Sequence, residues 1–118
     1  MQLPPWDGPD TWIHADMMPG NLLTRNGRLA AVIDFAAAGL GDPSLDLIVA
    51  WMLLPDQVRP AFRHATGVDD ATWLRGRARA LSMAVGHLYY YRDSNPVMAD
   101  NARYTIREVL ADYSSSGR

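Results

Sequence analysis

The dipeptide Asn26-Gly27 lies between two short apolar runs and is the feature that most constrains how this chain folds. Both residues tolerate positive φ, so the pair is a strong signal for a two-residue β-hairpin turn. The first strand begins at Leu22 and Leu23, and the return strand covers residues 28–35. Such a hairpin brings the residue before the first strand and a residue near the end of the second to the same end.

Both of these residues are polar. Asn21 precedes the first strand, and Asp34 follows the apolar residues Val32 and Ile33. An amide oxygen and a carboxylate are hard ligands that suit Mg²⁺. A carboxylate among apolar neighbours is costly unless it binds something. The hairpin therefore predicts that Asn21 and Asp34 form a site for a divalent cation.

A second polar group lies upstream, where His14 and Asp16 occupy a loop that ends at the turn Pro19-Gly20. A lone aspartate in such a loop usually caps a turn. Phosphoryl transfer, however, needs a carboxylate that accepts the proton of the attacking hydroxyl, beside ligands for the metal that bridges the phosphates. With the cation site on the adjacent hairpin, the pattern favours a catalytic base at Asp16.

The remainder of the chain is predicted to be helical. Gly39 and Gly41 break the chain before Asp42-Pro43, a cap followed by a first helical residue. The helix that follows is apolar on nearly all sides, which predicts burial, and it ends at Pro55.

Three more helices are predicted, over residues 56–65, from Asp69 or Asp70 to about Tyr91, and after Asn95-Pro96. The second of these carries an apolar stripe of Leu74, Ala78, Leu81, Val85 and Leu88. The last has a predicted inner face of Met98, Ala102, Ile106, Val109, Leu110 and Tyr113. The predicted fold class is α+β and predominantly helical.

The 118 residues form one predicted domain: an irregular lead-in over 1–11, the loop and hairpin over 12–41, helices over 42–113 and a tail over 114–118. A net charge of −2 gives no reason to expect nucleic acid as a partner. The chain has no cysteine, which excludes disulfides and thiolate metal sites. No apolar run reaches membrane-spanning length and no secretory signal layout is present, so a cytoplasmic location is expected.

Three motifs in this order resemble the aminoglycoside phosphotransferase family: residues 12–23, 27–35 and 41–46. The resemblance is densest from residue 12 to about residue 51. That family is similar to the protein kinases in fold and catalytic loop. The resemblance therefore implies a kinase-like large-lobe portion with a catalytic loop, one β-hairpin and about four helices.

The resemblance also implies an activity and the residues for it. The donor would be ATP or GTP with Mg²⁺, and the acceptor a hydroxyl of a small, antibiotic-type molecule. Asp16 matches the catalytic base, and Asn21 and Asp34 match the metal ligands. His14 is expected to brace the loop. Asp46 either hydrogen-bonds backbone amides of the loop or is an ordinary first-turn aspartate.

Several features depart from the family pattern. Ala15 replaces the usual glycine between His14 and Asp16, and Ala36 replaces the glycine of an Asp-Phe-Gly-like signature at Asp34. All eleven basic residues are arginines, so the lysine that clamps nucleotide phosphates is absent, and no glycine-rich loop precedes the motifs. We expect the isolated chain to be inactive or nearly so.

Substrate contacts are less well defined. A polycationic acceptor would favour carboxylates, and the candidates on or near the last two helices are Asp93, Asp100, Glu108 and Asp112. Each alone is more simply a solvated charge. Arg75, Arg77 and Arg79 are interpreted as a solvated helix face. The tyrosines at 89–91 are interpreted as core residues with one exposed ring.

Two other functions fit the sequence. One is a non-catalytic binding module of the same fold, favoured by Ala15, Ala36 and the missing nucleotide-clamping lobe. The other is a Mg²⁺-dependent hydrolase that uses the same carboxylates. In kinase-like folds a helix before the catalytic loop completes the core. The apolar helix after Pro43 is therefore expected to lack a neighbour and to drive self-association or binding of a missing small-lobe partner.

Overall fold

The hairpin forms around Asn26-Gly27, as predicted, in the computed structural model, which describes residues 3–116. Strands β2 (Leu22–Arg25) and β3 (Arg28–Val32) pair antiparallel. Asn26 and Gly27 have φ values of 53° and 74°, both in the left-handed region that a type I′ turn requires. Beyond the strands, the N–H of Ile33 donates to the carbonyl of Asn21 at 2.9 Å. The hairpin thus continues to Asn21, next to Asp34.

A second two-stranded sheet includes Gly39 and Gly41, where a chain break was predicted. Strand β1 (Thr11–Ile13) pairs antiparallel with β4 (Gly39–Gly41). Of the two glycines of β4, only Gly41 lies close to a side chain of the opposite strand, whereas a Cβ at Gly39 would meet nothing within 4 Å. A Cβ added at Gly41 would lie 3.2 Å from Cδ1 of Ile13.

Among residues 3–116, two 3₁₀ helices and four α-helices make up the rest of the regular structure: Pro19–Asn21 and Pro43–Leu47, then α1 (Val49–Met52), α2 (Arg59–Thr66), α3 (Asp70–Tyr91) and α4 (Pro96–Ser115). The predicted caps are present. The side chains of Asp42, Asp69 and Asn95 accept hydrogen bonds from backbone N–H groups of the turns they open. The helix predicted from Pro43 to Pro55 divides into a 3₁₀ segment and one short α-helix.

The core is centred on α1, which α3 and α4 enclose. Ile48 and Trp51 are completely buried. The indole of Trp51 lies 4.8 Å from that of Trp73 and donates its Nε1–H to Asp112 at 3.0 Å. The expectation that this apolar helix lacks a neighbour is therefore wrong, because the chain's own long helices cover it.

The buried face of α3 also differs from the predicted stripe. Its buried apolar residues are Trp73, Ala80 and Ala84, whereas Ala78 and Val85 of the stripe are exposed. The reason is a close helix approach at Gly76. A Cβ there would lie 2.8 Å from Cβ of Leu47, so α3 packs on its small-residue side.

The predictions for the arginines and tyrosines of α3 are also wrong in part. Arg75 and Arg77 are buried in ion pairs with Asp42 (3.0 Å) and Asp112 (3.4 Å), not solvated. Two tyrosine rings of the predicted core are exposed, those of Tyr89 and Tyr90, because the chain's own packing ends below them. On α4, Leu110 and Tyr113 of the predicted inner face are likewise about half exposed.

Within residues 3–116, no helix has both the length and the apolar character needed to cross a bilayer.

Candidate active site

The carboxylate of Asp46 joins the predicted catalytic loop to the helical part of the chain. Its two oxygens accept hydrogen bonds from the backbone N–H groups of His14 (2.8 Å) and Ala15 (2.9 Å). Asp46 lies in the 3₁₀ helix that the Asp42 cap opens, so its position is set by a separately anchored element. Asp46 was expected either to hydrogen-bond the loop amides or to be an ordinary first-turn aspartate. The structure has the hydrogen bonds to the loop amides.

His14 joins the same loop to the end of the hairpin. The ring is almost fully buried, and its Nδ1 accepts the backbone N–H of Asp16 at 3.1 Å. Because an amide N–H only donates, Nδ1 carries a lone pair and Nε2 carries the proton. Nε2–H then donates to the carbonyl of Ile33 at 2.8 Å. The edge-on ring of Phe35, 4.6 Å away, closes the apolar side of the imidazole.

Asn21 contacts Asp16 directly. Its side-chain N–H₂ group donates to the backbone carbonyl of Asp16 at 2.8 Å and to the Oδ2 atom of Asp16 at 3.0 Å. These two bonds identify the nitrogen of the amide and leave its oxygen, Oδ1, as a free acceptor among the described residues. The arrangement aligns the Asp16 carboxylate beside an amide oxygen that can serve as a ligand.

Asp34 lies one residue past the carbonyl that His14 holds. It has a φ of 61°, a left-handed conformation that aspartate tolerates better than most residues. The side chain is exposed and makes no hydrogen bond or ion pair with any other residue of the described range. The apolar neighbours in sequence therefore do not enclose the carboxylate, because the hairpin end is open to solvent.

These donors suit a hard cation. The free amide oxygen of Asn21 and the carboxylate of Asp34 are oxygen ligands, which Mg²⁺ prefers, and Mg²⁺ usually takes only one or two protein ligands beside waters and phosphates. Between residues 3 and 116 no cluster of three or more His, Cys, Asp or Glu side chains offers an alternative metal site. The residues present therefore fit Mg²⁺ better than a closed structural metal.

Ala15 has a φ of 71°, so the glycine that the resemblance leads us to expect at this place is replaced by a residue that adopts the left-handed region only under strain. The two bonds from Asp46 hold the backbone on either side of the strained residue. The loop thus keeps a glycine-like conformation without glycine.

The acidic candidates for substrate contact lie apart from this loop. Asp93 and Asp100 are exposed and pair with neighbouring arginines. Glu108 accepts from Arg59 at 2.7 Å, and Asp112 is shared by Trp51 and Arg77. Glu108 and Asp112 line a cavity of about 460 Å³ between α2 and α4, whose lining includes none of the loop residues. The structure does not bring these acids together with Asp16.

One polar network was missed by the sequence reasoning. Asp42 acts not only as a cap but also pairs with Arg75 and Arg79. Burial raises the pKa of Asp42, but hydrogen bonds from Arg75, Ser44 and Arg79 outweigh burial and lower the pKa to about 2. The signal was available, since the two arginines lie four residues apart on one face of α3.

The loop, the hairpin and the helical part together form a predominantly helical α+β fold that matches part of a kinase-like structure, with the loop held between the hairpin and the first capped turn. The sequence model of the phosphotransferase enzyme family (APH) matches residues 1–81. The chain belongs to that family.

Two solved structures resemble the chain. One is the apo form of a thermostable mutant of aminoglycoside phosphotransferase APH(4)-Ia, with a TM-score of 0.54 and 27% identity over 90% of this chain and 39% of that one. The other is the streptomycin–ATP–APH(2″)-IIa ternary complex, with a TM-score of 0.51 and 21% identity over 81% of this chain and 36% of that one. The chain thus spans less than two thirds of the length of each. No curated protein matches it.

Proposed function

We propose that this chain is the large-lobe part of a small-molecule phosphotransferase, which moves the terminal phosphoryl group of a nucleoside triphosphate to a substrate hydroxyl. The observation that carries this proposal is the continuous network from Asp46 through His14 to Asp16 and Asn21. A network of this kind holds one carboxylate in a fixed orientation beside a free ligand oxygen. A loop aspartate that merely capped a turn would not need it.

In the proposed mechanism Asp16 orients the acceptor hydroxyl and takes its proton. Asn21 holds the Asp16 carboxylate and, together with Asp34, would hold Mg²⁺ through side-chain oxygens. Mg²⁺ held there would supply positive charge against the negative charge of the transferring phosphoryl group. His14 and Asp46 are positioning residues: they hold the loop backbone but do not touch the reacting atoms.

The printed names of the two similar structures support a proposal for the acceptor and the donor. One similar structure is named an aminoglycoside phosphotransferase, and the other, a more distant fold neighbour, contains streptomycin and ATP. We propose an aminoglycoside-type hydroxyl as acceptor and ATP or GTP as donor, in the cytoplasm. Asp93, Asp100 and Glu108 remain proposed contacts for cationic groups of the acceptor.

We further propose that these 118 residues alone transfer phosphate slowly or not at all. They contain no lysine to clamp the donor phosphates. Metal binding therefore tests the site better than turnover does. In the ¹⁵N-labelled chain, added Mn²⁺ should broaden the amide signals of Asn21 and Asp34 before those of other residues.

The matched pair for this titration is Asp34→Asn and Asp56→Asn. Asp34→Asn removes a proposed ligand and should abolish the selective broadening. Asp56 is an exposed aspartate before α2, so Asp56→Asn should keep the selective broadening at Asn21 and Asp34. The metal site is refuted if Mn²⁺ broadens the same signals equally in the Asp34→Asn chain, or if broadening centres on another carboxylate.

A second candidate function is a non-catalytic binding module of the same fold. It is favoured by the strained Ala15 at a glycine position and by the exposed Asp34, which pairs with no other residue in the described part of the chain. Calorimetric titration separates the two functions. Mg²⁺-dependent binding of ATP that is lost in Asp34→Asn supports the phosphotransferase site, whereas no heat with nucleotide in either chain supports the module.

A further inference from the structure

The outward side of α3 has no charged residue over its last three turns. From Ala80 to Tyr91 the sequence contains no Asp, Glu, Lys or Arg. The exposed side of α4, by contrast, carries Asp100, Arg103 and Arg107. A helix side that faces water normally carries charged residues. The exposed side of α4 has this character, and the exposed side of α3 does not. The side of α3 is of the type that another protein surface covers.

The outer face of α3 consists of the exposed residues Ala78, Ser82, Val85 and Tyr89, with the half-buried Leu81 beside them. Val85 is 53% exposed and Tyr89 is 83% exposed. The four exposed positions are separated by four, three and four residues, the spacing of a seam between paired helices. This spacing continues the apolar stripe that the chain's own core does not use.

The outer face continues into an apolar groove towards α4. The groove has a volume of about 360 Å³, and its lining includes Leu74, Leu81, Leu110 and Tyr113. It also includes one charged residue, Arg77, whose guanidinium pairs with Asp112. Leu110 and Tyr113 are each 53% exposed. The face and the groove together offer one continuous, mainly apolar strip along α3.

We propose that a second copy of this chain covers the outer face of α3, so that two α3 helices pack about a two-fold axis near Val85. In a two-fold interface each residue near the axis meets its own counterpart. Two copies of an uncharged face do not repel each other when they meet. A charged partner surface, by contrast, would find no opposite charges on this face to pair with. Self-pairing is therefore the occupant that this face fits best.

The size of the surface agrees with a dimer. The small side chains of Ala78 and Ser82 allow the two helices to approach closely. Tyr89 is 83% and Tyr113 53% exposed, and a fully covered tyrosine buries about 150–250 Å². With Val85, they supply about a third to a half of the roughly 800 Å² per partner of a standard interface, to which Leu81 and Leu110 add. This interface does not depend on the proposed function.

The first test is the molar mass of the chain by light scattering over a wide concentration range. The chain should form a dimer at high concentration. Val85→Glu should raise the dimer Kd by more than about tenfold, because it would bury an unpaired charge. Val97→Glu makes the same change at an exposed valine in the first turn of α4 and should leave the dimer intact. Circular dichroism verifies that both variants fold.

The second test uses the absence of cysteine from the chain. Val85→Cys and Val97→Cys each introduce a single thiol, and under mild oxidation only Val85→Cys should form a covalent dimer. Equal cross-linking of the two variants, a mass above that of a dimer, or equal weakening by the two glutamates would overturn the pairing. A chain that stays monomeric also overturns it, and would assign the face to a different polypeptide, such as the part of a longer relative that this chain does not cover.

Discussion

Ala15 is the residue at which local conformation and family pattern conflict most directly. Its left-handed φ of 71° is imposed by the contacts around it, since Asp46 holds the amides of His14 and Ala15 and His14 holds the amide of Asp16. Three separate contacts thus stabilise a backbone that alanine would not adopt alone. The conformation is a property of the site and not of the residue.

Ala15→Gly is expected to stabilise the chain by about 0.5–1 kcal/mol, because the relief of left-handed strain exceeds the extra entropy that glycine has when unfolded. Urea unfolding measures the difference. Ala111→Gly, at an exposed position in α4, is the control and should destabilise by about 1 kcal/mol. Destabilisation of similar size in both variants would show that the loop does not require positive φ at residue 15.

The pKa of Asp42 predicts how stability depends on pH. Its folded pKa of about 2 lies below the model-compound value of 3.8. The carboxylate therefore contributes stability above about pH 4, and this contribution is lost as the pH falls towards 2. The shift corresponds to about 2 kcal/mol at most, since part of the side chain is exposed.

Asp42→Asn tests this pH dependence. The difference in unfolding free energy between the parent chain and Asp42→Asn should be large at pH 6 and should shrink as the pH falls below 4, because protonated Asp42 and asparagine are both neutral. Chemical denaturation at a series of pH values measures it. For Asp56→Asn the difference should stay small throughout, and a pH-independent penalty for Asp42→Asn would contradict the assignment.

At the scale of secondary structure elements, the position of α3 depends on a glycine. Gly76 lets α3 approach the 3₁₀ helix of residues 43–47, which brings Leu47 and Trp51 into the core. The arginines on either side of Gly76 then pair with Asp42 and Asp112. One close contact thus determines which side of a 22-residue helix is buried.

Gly76→Ala and Gly86→Ala, in the same helix, should have opposite effects. A Cβ at Gly76 would lie 2.8 Å from Cβ of Leu47, so this variant should lose about 1–3 kcal/mol through overpacking. A Cβ at Gly86 meets nothing within 4 Å, so alanine should add about 0.5–1 kcal/mol through helix propensity. Thermal unfolding at equal protein concentration compares them. A shift of Tm in the same direction for both would contradict the packing described.

At the scale of the whole molecule, the loop and hairpin are attached to the helical part by polar contacts and by Met17 and Met18, which pack against the apolar core of the helical part. Asp46 and His14 make the polar part of this connection. Trp51 and Trp73 lie together at the centre of the core. A single domain is still expected, because the 3₁₀ helix that holds Asp46 belongs to both parts.

Unfolding should therefore be one cooperative transition. Tryptophan fluorescence reports mainly the core, and amide signals of β2 and β3 report the hairpin. The two probes should give the same urea midpoint. Asp46→Ala should separate them, with the hairpin melting first, whereas separate midpoints in the unaltered chain would show that the hairpin is not part of the cooperative unit.

Features that depend only on neighbouring residues, such as turns and helix caps, could be predicted from the sequence. The turn at Asn26-Gly27 needs only two residues that tolerate positive φ, and the caps at Asp42, Asp69 and Asn95 need only a short acceptor before a helix. The order of the motifs was likewise sufficient to predict the family. None of these features depends on which residues are distant neighbours.

The packing of distant segments could not be predicted in the same way. The stripe of α3 that meets the core depends on the shape of Leu47 and Gly76, and the burial of Arg75 depends on the placement of Asp42. The exposure of Asp34 and the strain at Ala15 likewise depend on how separate segments are placed: no segment of the described range covers Asp34, and contacts from Asp46 hold the backbone at Ala15. Burial is a property of the surfaces that meet, so a periodic pattern names the apolar residues of a helix but not the side that its neighbours cover.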